Sequence, residues 1–218
     1  MCASDAKEKR ALEEKRARKL ERLNSFFNGG RPVCFPATPR RFAEKTIDSY
    51  IAKTDKQHEI KTIARRYVES FDRVLDNGTG MILAGTPGTG KTHIAWGIVN
   101  ELRDMEVPAA LIQASTMTGA VKDTYSRDSE HSAEQVVSTF ADIDLLVIDE
   151  VGVQVQTDSE KRIFFDIINR RYEDMKPTII ITNLTIQETA QYIGERVIDR
   201  MREGGGVIFA MDWESFRK

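Results

Sequence analysis

An α/β fold built on a five-stranded parallel sheet is predicted by two observations. Five short apolar runs alternate with helical patterns, and a glycine-rich loop joins the first run directly to the helix after it. The runs span 81–84, 109–112, 145–148, 178–181 and 207–210, and they are nearly continuous in apolar character, as expected of strands covered on both faces. At 218 residues the chain has room for one such domain and a small appendage. Its 40% hydrophobic and 30% charged content excludes wholesale disorder.

The charge divides the chain in two. Residues 1–45 carry 12 Lys/Arg and 6 Asp/Glu, whereas the remainder carries 20 and 28. A basic head on an acidic body predicts an interaction arm. Cys2 and Cys34 are too few for a disulfide framework, and His58, His93 and His131 are too scattered for a zinc site. The first twenty residues lack the apolar stretch of a signal peptide, and no 18-residue apolar run occurs. The expectation is a soluble, cytoplasmic protein with no membrane association.

Taken in order, 5–27 reads as a helix. Leu12, Leu20, Leu23 and Phe27 lie near one face, and Asp5/Lys9 and Glu14/Arg18 form acid-first i,i+4 pairs. Its apolar stripe is narrow and an isolated helix of this length is marginal in water, so it is expected to need a partner surface. Asn28-Gly29-Gly30-Arg31-Pro32, with Pro36 and Pro39, marks 28–41 as a linker. This divides the chain into an arm, 1–41, and a domain, 42–218. Residues 56–76, with Ile60, Ile63, Ala64, Tyr67, Phe71, Val74 and Leu75, predict one amphipathic helix, and further helices are expected at 91–105, 159–175 and 185–202.

Gly85-Thr86-Pro87-Gly88-Thr89-Gly90-Lys91-Thr92 satisfies G-x-x-x-x-G-K-[ST] between a strand and a helix. Glycines there let backbone N–H groups turn toward phosphate oxygens, and the helix N-terminus adds its positive end. Lys91 is expected to reach the β- and γ-phosphates, and Thr92 to offer its hydroxyl to Mg²⁺. The run Leu145-Leu146-Val147-Ile148 ends in Asp149 and Glu150, at the strand edge where such sheets bind ligands. Asp149 is placed to hold Mg²⁺ and Glu150 to polarise an attacking water. Asp149-Glu150-Val151-Gly152 also fits a GTPase D-x-x-G, but no N-K-x-D element accompanies it, so ATP is the expected nucleotide. Asn183 ends the fourth run, either beside the γ-phosphate or as the N-cap of the following helix.

With these residues in hand, the chain resembles the AAA+ ATPases, and among them the DnaC-type replicative helicase loaders. LLVIDEVGVQ at 145–154, ITN at 181–183, GERVIDRM at 194–201 and DWESFR at 212–217 carry the resemblance, which covers residue 42 onward. It implies sheet order 5-1-4-3-2, with the Asn183 strand between the P-loop strand and the Asp149 strand, and a catalytic role for Asn183. It also implies an arginine finger at Arg200, with Arg196 a second candidate, reaching a neighbour's nucleotide; the alternative pairs them with Glu195, Asp199 or Glu203. Only eight residues follow the last strand, so a truncated lid is expected, with Arg217 the one arginine placed to substitute and Trp213 and Phe216 as packing anchors.

The resemblance further implies single-stranded DNA contacts from the 114–142 span, with Lys122, Tyr125 and Arg127 as candidates; the alternative for Tyr125 is a buried helix position. It implies nucleotide-dependent self-assembly, and an arm that grips a DnaB-type hexameric helicase. The expected function is therefore ATP-dependent loading of that helicase onto single-stranded DNA. The rival is an IstB-like ATP-dependent helper of a transposase.

Overall fold

The computed structural model describes residues 3–28, 38–153 and 157–216. Cys2, Cys34, Gly29 through Pro36, and Arg217 lie outside them, and with them most of the expected linker and the candidate substitute arginine. The sheet comprises β1 (Met81–Ala84), β2 (Ala109–Gln113), β3 (Leu145–Val151), β4 (Thr178–Thr182) and β5 (Val207–Ala210), all parallel, in the order β2-β3-β4-β1-β5. This is the expected 5-1-4-3-2 order. It seats the P-loop strand between β4 and β5, so the ends of β1, β4 and β3 are neighbours.

Side chains alternate across the pleat, dividing the core into two layers. Ile82, Ala84, Ala110, Ile112, Leu146, Ile148 and Ile180 face α5 (Ala114–Asp123), α6 (Ala133–Asp142), α7 (Asp158–Glu173), α8 (Ile186–Ile193) and α9 (Glu195–Arg202). Met81, Leu83, Ala109, Leu111, Leu145, Val147, Ile179 and Ile181 face α2 (Asp55–Glu69), α3 (Phe71–Asn77) and α4 (Lys91–Asp104). Burial on both sides explains why the strands read as unbroken apolar runs.

Two expected helices are each divided. The 56–76 pattern breaks at Ser70, whose hydroxyl and amide both bond to Arg66 O, although the apolar face continues from α2 into α3. The 185–202 pattern breaks at Gly194, where φ is +83°, a conformation that costs a residue with Cβ but not glycine. Capping boxes start α2 (Thr54/Gln57), α6 (Ser132/Gln135), α7 (Thr157/Glu160) and α8 (Thr185/Glu188).

The arm differs most from expectation. Its helix, α1 (Ala3–Asn28), lies on the chain's own core rather than waiting for a partner. Leu23 is 1% exposed within the α5–α9 layer, while Leu12, on the expected apolar stripe, stays exposed. Lys19 Nζ donates to Asp144 at 2.5 Å, and Arg16 Nη2 to Asp72 at 2.7 Å. The end of the expected linker packs on the domain instead of spanning free: Thr38 accepts from Arg103 and donates to Asn100 on α4, and a 3₁₀ turn at Arg40–Phe42 stacks Phe42 on Trp96.

Candidate nucleotide-binding site

The loop 85–92 leaves β1 and enters α4 with Gly85, Gly88 and Gly90 at φ +131°, +82° and +95°. A Cβ at Gly90 would stand 2.6 Å from the Tyr50 ring, and one at Gly88 2.0 Å from Ser215 Oγ. These glycines therefore serve the loop's turn and its close packing together. Thr89 Oγ1 closes the loop by donating to Thr86 O at 3.0 Å. Lys91 is 5% exposed, with Nζ 2.7 Å from both Gly85 O and Thr86 O, so its ammonium lies inside the loop where anionic oxygens would be gathered. Pro87 fixes φ at the tip without removing an amide from the 88–92 cradle.

β3 brings the carboxylates to this loop. Thr92 Oγ1 donates to Asp149 Oδ2 at 3.0 Å, placing a hydroxyl and a carboxylate side by side, both hard oxygen ligands suited to Mg²⁺. Burial pushes the Asp149 carboxyl up, and the Glu150 charge adds to this, while hydrogen bonds from Glu150 N and Thr92 pull the other way. A cation at this position would relieve that buried charge.

Glu150 follows in the left-handed region at φ +60°, where the register of β3 against β4 slips between Ile148 and Val151. Asp149 is buried and Glu150 exposed at the same strand end, and the bulge returns Val151 to the layer that Ile148 occupies. Thr182 Oγ1 holds the bulge by donating to Val151 O at 2.6 Å. Asn183 is exposed immediately beyond, at the end of β4. It is not the helix N-cap, a place taken by Thr185.

Arg200 and Arg196 lie on α9. Arg200 donates to Asn169 Oδ1, and its guanidinium sits 4.6 Å from the Tyr172 ring centroid, both on α7. The expected acidic alternatives therefore do not hold it; Asp199 instead pairs with Arg202. Arg196 is exposed. In the 114–142 span, Lys122 is paired with Glu160 at 2.8 Å. Tyr125 is 65% exposed in the turn after α5, which overturns the buried alternative, and Arg127 is exposed beside it.

Two P-loop contacts went unrecognised in the sequence: Tyr50 and Trp213 both donate to Thr89 O, and only the aromatic residues of DWESFR offered a signal. Trp213 and Phe216 do pack, but against the P-loop itself.

A family model described as "IstB-like ATP binding protein" matches residues 35–204. The chain is 38% identical over 172 residues to "Replicative helicase loader DnaC" of Escherichia coli (strain K12), an overlap of 79% of this chain and 69% of that protein. Of the similar solved structures, "Crystal structure of the DnaC helicase loader" superposes with a TM-score of 0.68 at 22% identity, over 78% of this chain and 99% of that one. "Replication initiator DnaA bound to AMPPCP and single-stranded DNA" gives a TM-score of 0.66 at 17% identity, over 82% and 52%. The fold is thus that of the AAA+ P-loop ATPases. The chain belongs to the IstB-like ATP-binding protein family and, within it, to the DnaC-type helicase loaders. ATP binding accordingly comes with the family. Among the described residues no helix is long and apolar enough to cross a membrane.

Proposed function

We propose that this protein is an ATP-dependent loader that binds a DnaB-type hexameric replicative helicase and delivers it onto single-stranded DNA. The observation that carries this is the 38% identity to a replicative helicase loader over a span that includes the whole P-loop, Asp149 and Glu150. In this reading the amides of 88–92 and Lys91 bind the phosphates, while Thr92 and Asp149 hold Mg²⁺, which supplies charge neutralisation during phosphoryl transfer. Glu150, exposed at the bulge, orients and deprotonates the attacking water, with Asn183 beside it.

Arg200 serves a neighbouring subunit's nucleotide, with Arg196 assisting, so hydrolysis follows assembly. Lys122, Tyr125 and Arg127 contribute to a single-strand track; Tyr125 supplies an exposed ring for base stacking, and Lys122 must leave Glu160 to reach a phosphate. The arm contacts the helicase.

Light scattering after size exclusion, with Mg-ATP and the host's replicative helicase, tests this. A large complex is expected with the full chain and is expected to be lost when residues 1–30 are removed. No complex in any nucleotide state rejects the loader assignment. One other reading is an IstB-like helper of a transposase, and the IstB-like family match is what keeps it in view. That reading requires nucleotide-dependent remodelling of duplex DNA without helicase.

A further inference from the structure

The segment 212–216 runs along the P-loop and occupies its outward carbonyls. The Trp213 indole Nε1–H donates to Thr89 O at 3.1 Å, and the Tyr50 hydroxyl donates to the same oxygen at 3.3 Å. Phe216 N–H donates to Gly88 O at 2.9 Å. In return Trp213 O accepts from Thr86 Oγ1 at 3.4 Å. Phe216 also meets the Tyr50 ring edge to face at 5.9 Å, and Ser215 is seated against Gly88.

The consequence follows from peptide geometry. Among the described residues every peptide bond is trans, and a trans peptide points its N–H opposite to its C=O. Tying down Gly88 O therefore turns Thr89 N–H to the other side of the loop, and tying down Thr89 O does the same for Gly90 N–H. Neither amide donates to a backbone carbonyl among the described residues. Both belong to the set that a P-loop directs at phosphate oxygens. Glycines at 88 and 90 leave this loop free to rotate its peptide planes, so an external restraint has something to restrain.

We infer that Trp213 and Phe216 are positioning residues for the phosphate cradle: by holding the carbonyls of Gly88 and Thr89, they pre-set the amides of Thr89 and Gly90 toward the polyphosphate. They act through the loop and not on the base. This deepens the ATP-site assignment above and rests on it.

The test uses the full chain, its Trp213→Phe variant, and a variant ending at Met211. A Lys56→Ala variant, which removes only an exposed pair to Asp212, is the control. Two probes are titrated, a fluorescent ATP analogue with Mg²⁺ and inorganic tripolyphosphate. Thermal midpoints are recorded without ligand.

Trp213→Phe is expected to weaken both probes by about fivefold, the worth of one neutral hydrogen bond. Ending the chain at Met211 is expected to weaken both by more than tenfold. Lys56→Ala should match the parent, and Trp213→Phe should keep the parent's midpoint within a few degrees. Undiminished binding of both probes by Trp213→Phe overturns the inference. So does weakened ATP binding with unchanged tripolyphosphate binding, which would assign the segment to the base. If the parent itself binds neither probe, the ATP-site assignment falls and this inference with it.

Discussion

Lys19 of α1 and Asp144 at the foot of β3 form an ion pair at 2.5 Å, five residues along that strand from Asp149. Lys176 completes the cluster at 3.0 Å from the same oxygen, and the Asp144 side chain is almost wholly buried. The arm's basic charge is thus partly spent on the acidic body of its own chain, at the end of the sheet remote from the P-loop. Any partner that takes the whole arm displaces this pair and uncovers Leu23.

The pair has a pH signature. Burial pushes the Asp144 carboxyl up, but the ammonium groups of Lys19 and Lys176 outweigh it and hold the carboxyl below its ordinary range. Burial lowers the Lys19 ammonium as well, against the pull of Asp144. Only the carboxyl titrates in acid, so its direction governs there. A carboxyl depressed in the folded state contributes stability above its unfolded value, about 3.9, and loses it as pH falls through the folded value. The α1 amides should stay protected from hydrogen exchange between pH 5 and 8, roughly, and lose protection below about pH 4. Asp144→Asn should cut α1 protection roughly tenfold at neutral pH, with Lys176→Met doing less. Unprotected α1 amides in the parent protein at neutral pH would refute the docked arm.

Glu150 supplies a prediction with two signs. A non-glycine residue at φ +60° carries roughly 1 kcal/mol of strain, retained here at the proposed water-orienting position. Glu150→Gly should raise unfolding free energy by about 0.5 kcal/mol, once glycine's own entropy cost is set against the relief. ATP turnover should nevertheless fall about a hundredfold or more. Glu150→Gln should bind ATP normally while losing turnover to the same degree. Urea titration and steady-state phosphate release check both substitutions. A hydrolytically active Glu150→Gln removes Glu150 from its role.

The sequence revealed the strands and the phosphate loop because both are written in contiguous residues: apolar runs of strand length, and glycines at fixed spacing; the strand order came from the family resemblance. What it concealed was set by contacts between distant segments. The β3 bulge has no glycine at Glu150 to announce it. Ser70 and Gly194 each divide a continuous apolar face without interrupting its periodicity. Arg171 looks like a surface cation in a charged helix end, yet it is fully buried.

That arginine sets the foot of the sheet. Its Nε donates to Thr178 Oγ1, Nη1 to the carbonyls of Phe140, Ala141 and Ile143, and Nη2 to Pro177 O, at 2.7–3.0 Å. One planar fork thereby joins the end of α6, the approach to β3 and the start of β4. Burial lowers the guanidinium's affinity for its proton to about 9, with Asp144 opposing. Arg171→Lys retains charge but cannot reproduce the fork, and should cost about 3 kcal/mol or more in urea unfolding. A loss under 1 kcal/mol, roughly, would show that the network is dispensable.

Arg200 offers the sharpest test of assembly. In the single chain it is held to α7 by Asn169 and Tyr172, so a role in a neighbour's site requires that contact to loosen or to be presented as it stands at the interface. Arg200→Ala should retain ATP binding and lose assembly-dependent hydrolysis by a factor on the order of a thousand. A Glu150→Gln subunit should be equally inactive, though its own Arg200 is intact. Mixed one to one, the two inactive variants should regain about a quarter of parental turnover, since a quarter of random interfaces join an intact Glu150 to an intact Arg200. Phosphate release measured across mixing ratios should then peak near equal proportions. A flat line at zero would mean that Arg200 acts within its own subunit, as a brace between α9 and α7.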